Sequence, residues 1–327
     1  MTDGIANNKI KFNLLCNRES SIPIFLRNWW LDAVCGPENW DVVLYEKGER
    51  IFAVLPYYKK TRYGLKLITM PRLTPFMGAW LTYPENQKHV TKMSYEKECY
   101  WALIDQLPKV NIFLQYFPPA FTNWLPFRWK GFEQTTVYTY AFEELTDLDK
   151  IWNGMQENIR REIRKAKKQL IVKTGLDLDR FLEINSLSFS RQHISFPVKE
   201  EIVRSVDVVC SLQNRRIIFY AEDEHGRIHA AVYIVWDENS AYYLMGGGDA
   251  ALRNSGAHSL LMWESIRFAS QVTLRFDFEG SMYEPIERFF RAFGARQIPI
   301  FCLMRSSPWM KLLLCARDVV LSLKKQD

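Results

Sequence analysis

Residues 241–294 constrain the fold of this 327-residue chain more than any other segment. In order, they predict a strand (AYYLMGGGD), a glycine-bearing loop (ALRNSGAH), a helix (SLLMWESIRFAS), a second strand (VTLRFDFEGS) and a short helix (EPIERFFRAFGA). This alternation is typical of a domain in which helices pack on a sheet. Glycines at a strand-to-helix junction let backbone N–H groups approach an anionic group at the helix N-terminus. The segment therefore suggests group-transfer chemistry, without naming the substrate.

The second strand of this segment carries charged residues at alternate positions. Alternation places Leu274, Phe276 and Phe278 on one face and Arg275, Asp277 and Glu279 on the other. Both faces of a sheet are usually covered where strands and helices alternate, so the charged face predicts a polar cleft. Two alternatives stay open: an exposed strand without a function, and a purely structural Arg275–Asp277 pair.

The residue types in this segment suit acyl transfer to an amine. That reaction needs a base for the amine proton, a donor for the tetrahedral oxyanion and an acid for the leaving group. Asp277 or Glu279 is a candidate base if burial raises its pKa. The candidate donors to the oxyanion are backbone N–H groups near Gly246, Gly247 and Gly248, and the candidate acids are the hydroxyls of Tyr283 and Tyr243. Either tyrosine could equally be a buried aromatic residue without a catalytic role.

The chain contains the same hairpin pattern twice. Residues 42–58 and 217–236 each predict two apolar strands around a glycine-bearing turn, and residues 65–71 and 241–247 predict the strand that follows each pair. Repetition predicts two similar halves, which we divide into residues 1–146 and 147–327.

The predicted junction is a helix over residues 147–170. Apolar residues spaced by three and four positions form one stripe, and basic residues cover the remaining face. A solvated surface explains this face as well as a ridge for phosphates of RNA, a nucleotide or lipid headgroups does. The candidate substrate-binding residues here are Arg160, Arg164 and Lys167, with Arg275 from the strand.

Composition sets wider limits on function. A net charge of +6 favours anionic partners without proving one. The six cysteines form no close pair and His225 and His229 flank a turn, so no metal site and no disulfide framework is predicted. With no apolar signal segment, this predicts a cytoplasmic protein. The C-terminal residues 308–327 predict a helix that packs on its domain or lies on the inner face of the membrane.

The sequence resembles the GNAT superfamily of N-acyltransferases, and within it the tandem-domain Fem-type (FemAB-like) branch. The resemblance is carried by YYLMGGGDAALRNSGAHSLLMWESIRFA, FDFEG, FFRAFGA, MPRLTPFMGAWL and NIRREIRKAKK. It implies an α+β fold of two GNAT-like domains, each a mixed sheet flanked by helices. It also implies transfer of an acyl or aminoacyl group, from acyl-CoA or aminoacyl-tRNA, to an amine of a cell-envelope precursor. Such a precursor is a nucleotide sugar, a lipid-linked saccharide or a muropeptide, in peptidoglycan or polysaccharide synthesis.

The superfamily's pyrophosphate loop has the pattern Arg/Gln-x-x-Gly-x-Gly/Ala. Here it falls on Arg253 to His258, with Gly256 and Ala257 inside it. His258 departs from the pattern, and a bulky ring at that position would crowd a pyrophosphate. Fem-type enzymes that use tRNA commonly carry a long helical arm, whereas this sequence predicts one helix. The rival to an enzyme is an inert GNAT-fold module that binds an anionic ligand or an envelope-biosynthesis partner.

Overall fold

The structure is a computed structural model that describes residues 2–190, 197–280 and 282–311. The chain forms two compact units. Unit 1 contains residues up to 136 and returns at residue 300, and unit 2 contains residues 137–299. The last described strand brings the chain back into unit 1.

The described secondary structure alternates helices and strands along both units. The helices are α1 (Thr2–Arg18), α2 (Asn28–Cys35), α3 (His89–Gln106), α4 (Leu125–Trp129), α5 (Leu148–Gly154), α6 (Glu157–Ala166), α7 (Leu178–Ser190), α8 (Glu200–Leu212), α9 (Ala257–Val272) and α10 (Glu284–Ala292). Short 3₁₀ helices occupy Ile24–Leu26 and Ala250–Ser255. The strands are β1 (Trp40–Lys47), β2 (Arg50–Arg62), β3 (Leu65–Thr69), β4 (Trp80–Leu81), β5 (Ile112–Tyr116), β6 (Glu133–Phe142), β7 (Ile171–Thr174), β8 (Arg216–Glu222), β9 (Ile228–Trp236), β10 (Ser240–Gly248), β11 (Arg275–Asp277) and β12 (Arg296–Ser306).

Unit 1 is built on a mixed sheet in the order β1-β2-β3-β5-β12, with β4 paired to β2. Only the β3–β5 pair among these is parallel. Buried residues of α3, including Cys99, Tyr100 and Leu103, form a core with Phe113 and Phe127. Aromatic residues fill this core because few side chains bury as much apolar area for each residue that is ordered.

Unit 2 is also built on a mixed sheet, in the order β6-β11-β10-β9-β8-β7. The β10–β11 pair is parallel and the other described pairs are antiparallel. Helices α6 and α9 bury Ile163 and Leu261 in one core with Val232 of β9. Helix α7 packs against the same strands through Phe181, whose ring centroid lies 5.6 Å from that of Tyr233. The strand-rich hairpins predicted at 42–58 and 217–236 are confirmed as β1–β2 and β8–β9.

The prediction of one continuous helix over residues 147–170 was wrong, because the structure has two helices there, α5 and α6. Met155 and Gln156 adopt extended backbone, with ψ angles of 148° and 145°, and separate α5 from α6. The Gln156 N–H donates to the carbonyl oxygen of Ala292 at 2.9 Å instead of continuing a helix. The apolar stripe was correct, since Met155 and Ile163 are buried. The predicted C-terminal helix lies beyond the described residues from position 312 onward.

Candidate active site

Strands β10 and β11 pair only at their beginnings. Their register joins Ser240 to Arg275 and Tyr242 to Asp277, and β11 ends there. Beyond Tyr242, β10 continues to Gly248 paired with β9 alone. One edge of β10 therefore opens beside the segment that follows β11, and the predicted site residues from both strands lie around this opening.

The three glycines at the end of β10 are required by close neighbours. A Cβ atom at Gly246 would overlap the phenol oxygen of Tyr243. At Gly247 it would lie 2.6 Å from the Cα atom of Asn185 in α7, and at Gly248 it would lie 2.7 Å from the carbonyl oxygen of His229. The glycines thus make room for a side chain and for two backbone segments.

One backbone donor at this opening is already used. The Gly248 N–H donates to the hydroxyl of Ser188 at 3.0 Å. Because N–H groups alternate along a strand, the Gly246 N–H points to the same side of β10, away from β9. Of the three glycine N–H groups predicted as oxyanion donors, Gly246 is the one that this geometry favours.

The loop after β10 ends at the N-terminus of α9. Gly256 is the helix N-cap, with a φ of +78°. A Cβ atom there would lie 2.6 Å from the backbone oxygen of Glu162 in α6, so α6 packs directly on this loop. Lys165 donates to the Asn254 carbonyl oxygen at 2.7 Å, and Ser259 donates to the Glu162 carboxylate at 2.6 Å.

A pocket of about 210 Å³ lies at the N-terminus of α9. Its lining includes Gly248, Asp249, Arg253, Ala257 and His258, together with Ser188 and His229. Arg253 is exposed, and the first turn of α9 presents N–H groups that lack intrahelical partners. A cation beside a helix N-terminus favours an anionic ligand group such as a phosphate.

His258, the residue that departs from the pyrophosphate pattern, lines this pocket and contacts two aromatic neighbours. Its Nε2 atom shares a hydrogen bond of 3.1 Å with the Tyr243 hydroxyl, and its ring centroid lies 5.7 Å from that of Phe289. Burial lowers the pKa of His258 to about 4, so the imidazole is neutral at pH 7. Burial, and then the negative charge of Glu279, raise the pKa of Tyr243, so its hydroxyl keeps its proton.

The Asp277 carboxylate is fully engaged inside the protein. It accepts from Arg275 at 2.7 Å, from the Glu279 N–H at 2.8 Å and from the Thr139 hydroxyl. Burial raises the pKa of Asp277, while these three donors act in the opposite direction. The Arg275–Asp277 pair that the sequence left as an alternative is therefore present as a buried ion pair.

Glu279 differs from Asp277 in its backbone conformation and in its hydrogen bonding. Its backbone leaves the strand conformation, with a φ of +56°, so strand alternation does not extend to it. Its Oε1 atom is shielded from solvent and has no hydrogen-bond partner among the described residues. Burial, followed by the charge of Asp277, raises the pKa of Glu279 well above its ordinary value. A strained residue with a shielded carboxylate oxygen that lacks a partner is the pattern expected of a functional group.

Two residues near the second strand are exposed. Leu274 precedes β11, which begins at Arg275, and is 67% exposed, whereas Phe276 and Phe278 are buried. Tyr283, a candidate acid, is 60% exposed at the N-cap of α10, whereas Tyr243 is half-buried and bonds His258.

Two carboxylates, Glu157 and Glu264, pair with part of the basic face of α6. Arg160 and Arg164 both pair with Glu157, at 2.8 and 3.0 Å, and Lys167 pairs with Glu264 at 3.2 Å. Arg161 and Lys168 have no carboxylate partner among the residues described. This pairing lowers the charge available to a phosphate backbone.

Several residues of the site were not found by sequence reasoning. Thr139 and Ser188 come from elements far from the motif, and no local pattern marks them. His229, buried in the pocket wall, bonds Asp223 at 3.1 Å across a hairpin turn. Glu162 could have been found, because it is the one acidic residue that interrupts the basic face of α6. Within the described ranges, no group of three or more His, Cys, Asp or Glu side chains could hold a metal ion.

Residues 153–285 match the family model for the acetyltransferase (GNAT) domain. The structure is similar to that of FemX over 90% of this chain and 95% of that chain, with a TM-score of 0.65 and 10% identity. It is also similar to the C-terminal domain of a putative lysylphosphatidylglycerol synthetase from Agrobacterium fabrum, over 96% and 97% of the two chains, with a TM-score of 0.55 and 11% identity. A conserved protein of unknown function from Bacteroides thetaiotaomicron is similar over 92% of both chains, with a TM-score of 0.52 and 11% identity. No curated protein sequence matches the chain.

These findings confirm the resemblance to the GNAT superfamily and the α+β fold of two GNAT-like domains. The segment 153–285 carries an acyltransferase-family domain, and it contains the opening at β10 and the pocket at α9. The similarity to FemX and to the synthetase domain, at 10% and 11% identity, concerns the fold.

Proposed function

We propose that this protein is an N-acyltransferase that takes an acyl group from a coenzyme A thioester and transfers it to an amine of a cell-envelope precursor. The proposal is supported by a chain of neighbours that runs from the pocket at the α9 N-terminus through His258 and Tyr243 to Glu279. The link between them is continuous, since His258 lines the pocket and bonds Tyr243, and Tyr243 feels the charge of Glu279.

The residues divide the reaction into three roles. Glu279, once ionised above its raised pKa, accepts the proton of the attacking amine as the N–C bond forms at the thioester carbon. The Gly246 N–H donates to the carbonyl oxygen as negative charge develops on it. Tyr243 gives its proton to the sulfur as the C–S bond breaks, and the proton held by Glu279 then returns to Tyr243, directly or through solvent. Asp277 has a positioning role, because it holds the Glu279 backbone N–H and Arg275.

The donor is assigned to coenzyme A for two reasons. The pocket places Arg253 beside the α9 N-terminus, which suits the phosphates of that cofactor. The rival donor, aminoacyl-tRNA, needs a strongly cationic surface, and Glu157 and Glu264 offset part of the charge on α6. The envelope acceptor rests on the Fem-type resemblance and on the fold shared with a putative lysylphosphatidylglycerol synthetase domain.

A transfer assay tests this function. The wild type is incubated with labelled acetyl-CoA, or with charged tRNA, and with nucleotide amino sugars, lipid-linked amino saccharides or muropeptides. Glu279→Gln should lower kcat/KM about 100-fold or more, as loss of a general base does, while acetyl-CoA binding is retained. Unchanged transfer by the double variant Asp277→Asn/Glu279→Gln would refute the assignment. Transfer only from charged tRNA, lost on charge reversal of Arg160, Arg164 and Lys167, would move the donor to tRNA. Binding of acetyl-CoA without turnover of any acceptor would support the inert module.

A further inference from the structure

A tryptophan-rich surface of unit 1 is not explained by acyl transfer. We define the α3–α4 surface by Leu125, Arg128, Trp129 and Lys130 of α4 and the turn after it, with Lys97 and Trp101 of α3. Leu125 and Trp129 are one helical turn apart and are 45% and 58% exposed. The Trp101 and Trp129 ring centroids lie 6.2 Å apart with their planes at 79°.

Cations surround these rings. The Lys97 ammonium lies 4.6 Å from the ring centroid of Trp101 and 5.9 Å from that of Trp129, and Lys130 lies 5.3 Å from Trp101. Lys130 also pairs with Asp105 at 2.5 Å. Lys97 and Arg128 have no carboxylate partner in the part of the chain that the structure describes. The surface therefore carries uncompensated positive charge around exposed apolar side chains.

The described residues end in a contact with the first residue of β6, the strand that follows α4. Lys311 pairs at 2.6 Å with Glu133, which lies four positions after Trp129, and Trp309 beside it is 46% exposed. The residues that follow, LLLCARDVVLSLKKQD, combine aliphatic side chains with Arg317, Lys324 and Lys325. The α3–α4 surface and the sequence of the continuing chain thus share a combination of apolar residues and cations.

We propose that the α3–α4 surface binds the anionic face of a phospholipid bilayer. Tryptophan favours the headgroup level of a bilayer, and leucine favours the acyl boundary below it. Lysine and arginine near the surface are attracted by anionic lipids, and the lysine stems cover apolar surface as well. Nucleic acid fits less well, because two indole rings at 79° cannot both stack on neighbouring bases and Leu125 gains nothing from a phosphate backbone.

No helix within residues 2–190, 197–280 and 282–311 is long and apolar enough to cross a membrane. Binding through this surface is therefore peripheral and reversible, and it should weaken as salt screens the charges.

Vesicle flotation tests the proposal with the full chain. The wild type should float with mixed phosphatidylcholine–phosphatidylglycerol vesicles and stay behind with phosphatidylcholine alone. Removing two charges in Lys97→Gln/Arg128→Gln should weaken partitioning about 25-fold, since each cation contributes about fivefold. Trp129→Ser should also lower the bound fraction. Matched controls on the β2–β3 hairpin, Lys60→Gln/Arg62→Gln and Tyr63→Ser, should bind as the wild type does.

Three results would overturn the proposal. The first is a wild type that does not float with anionic vesicles. The second is loss of binding in Lys324→Gln/Lys325→Gln while the α3–α4 variants bind normally, which would assign binding to the C-terminal segment alone. The third is single-stranded RNA that binds more tightly than vesicles and loses affinity in the same α3–α4 variants. Circular dichroism and thermal melting of each variant identify any loss of fold.

Discussion

Replacing Glu279 by glutamine should stabilise the protein, and the gain should grow with pH. The carboxylate is shielded from solvent at Oε1 and has no partner there, so burial raises its pKa well above 4.5. Between pH 4.5 and the raised pKa, the folded protein keeps a proton that the unfolded chain releases. Stability of the wild type therefore falls with rising pH, by about 1.4 kcal/mol per pH unit across that interval. Glutamine carries no titrating proton, so the variant avoids this loss.

Titration of His258 has the opposite effect on stability over part of the same pH range. Its pKa is lowered from 6.5 to about 4, so the unfolded chain takes up a proton that the folded protein refuses. Stability therefore falls as pH drops from about 6.5 towards 4, again by about 1.4 kcal/mol per unit. The two slopes offset each other in the wild type where their intervals overlap. In Glu279→Gln, the His258 slope should no longer be opposed by Glu279, and the variant should lose more stability on acidification below pH 6.5 than the wild type does.

Urea denaturation followed by tryptophan fluorescence, at intervals from pH 4.5 to 8, measures both effects. The free energy of unfolding of Glu279→Gln minus that of the wild type should be near zero at pH 4.5 and positive at neutral pH. Glu284→Gln removes the same charge from an exposed position beside the site and should show no such trend. A difference that is constant with pH, or negative at neutral pH, would refute the argument that Glu279 is buried without a partner.

Other variants test neighbouring contacts. Asp277→Asn should destabilise the protein by about 3 kcal/mol, because Arg275 would lose its buried counter-charge. The same urea denaturation measures this change, and a loss below about 1 kcal/mol would contradict the buried ion pair. Gly256→Ala should lower the free energy of unfolding by about 2–4 kcal/mol, because the position has a positive φ and a Cβ atom would overlap the Glu162 carbonyl oxygen. Thermal melting measures this loss. The control Gly48→Ala, at a position with a positive φ and no close neighbour, should lose less stability. The His258 ring resonances should stay unchanged from pH 5.5 to 8 in NMR spectra and move only near pH 4, and a midpoint near 6.5 would contradict its burial.

The sequence predicted much of the second unit because its signals are local. The order of strand, loop, helix, strand and helix over residues 241–294 is set by glycine positions and apolar periodicity, and β10, α9, β11 and α10 follow it. Gly256 at the helix start was identified by the same pattern. The sequence could not show why a glycine is needed there, because the nearby carbonyl oxygen belongs to Glu162, which is distant in sequence.

The roles of the two carboxylates illustrate the other limit. Strand alternation treats Asp277 and Glu279 alike, since it assumes that the strand continues through both. The positive φ of Glu279 and the left-handed Gly280 end the strand, and a Cβ atom at Gly280 would overlap the backbone at Tyr138. Which carboxylate is paired then depends on Thr139 and Arg275, and only the folded sheet brings Thr139 beside Asp277. Similarly, the sequence predicted the basic face of α6, but it could not predict that Lys167 pairs with Glu264 of α9.

Calorimetric titration with acetyl-CoA, of the wild type and of Arg253→Ala, tests the central claim most directly. A charge-assisted contact to phosphate contributes about 1.5–3 kcal/mol, so we expect affinity to fall roughly 10- to 100-fold in Arg253→Ala. Arg72→Ala, which removes an exposed arginine of unit 1, should bind as the wild type does. Binding that is lost only in Arg253→Ala would establish the α9 pocket as the donor site. A wild type that does not bind acetyl-CoA, or equal affinity in Arg253→Ala, would contradict that assignment.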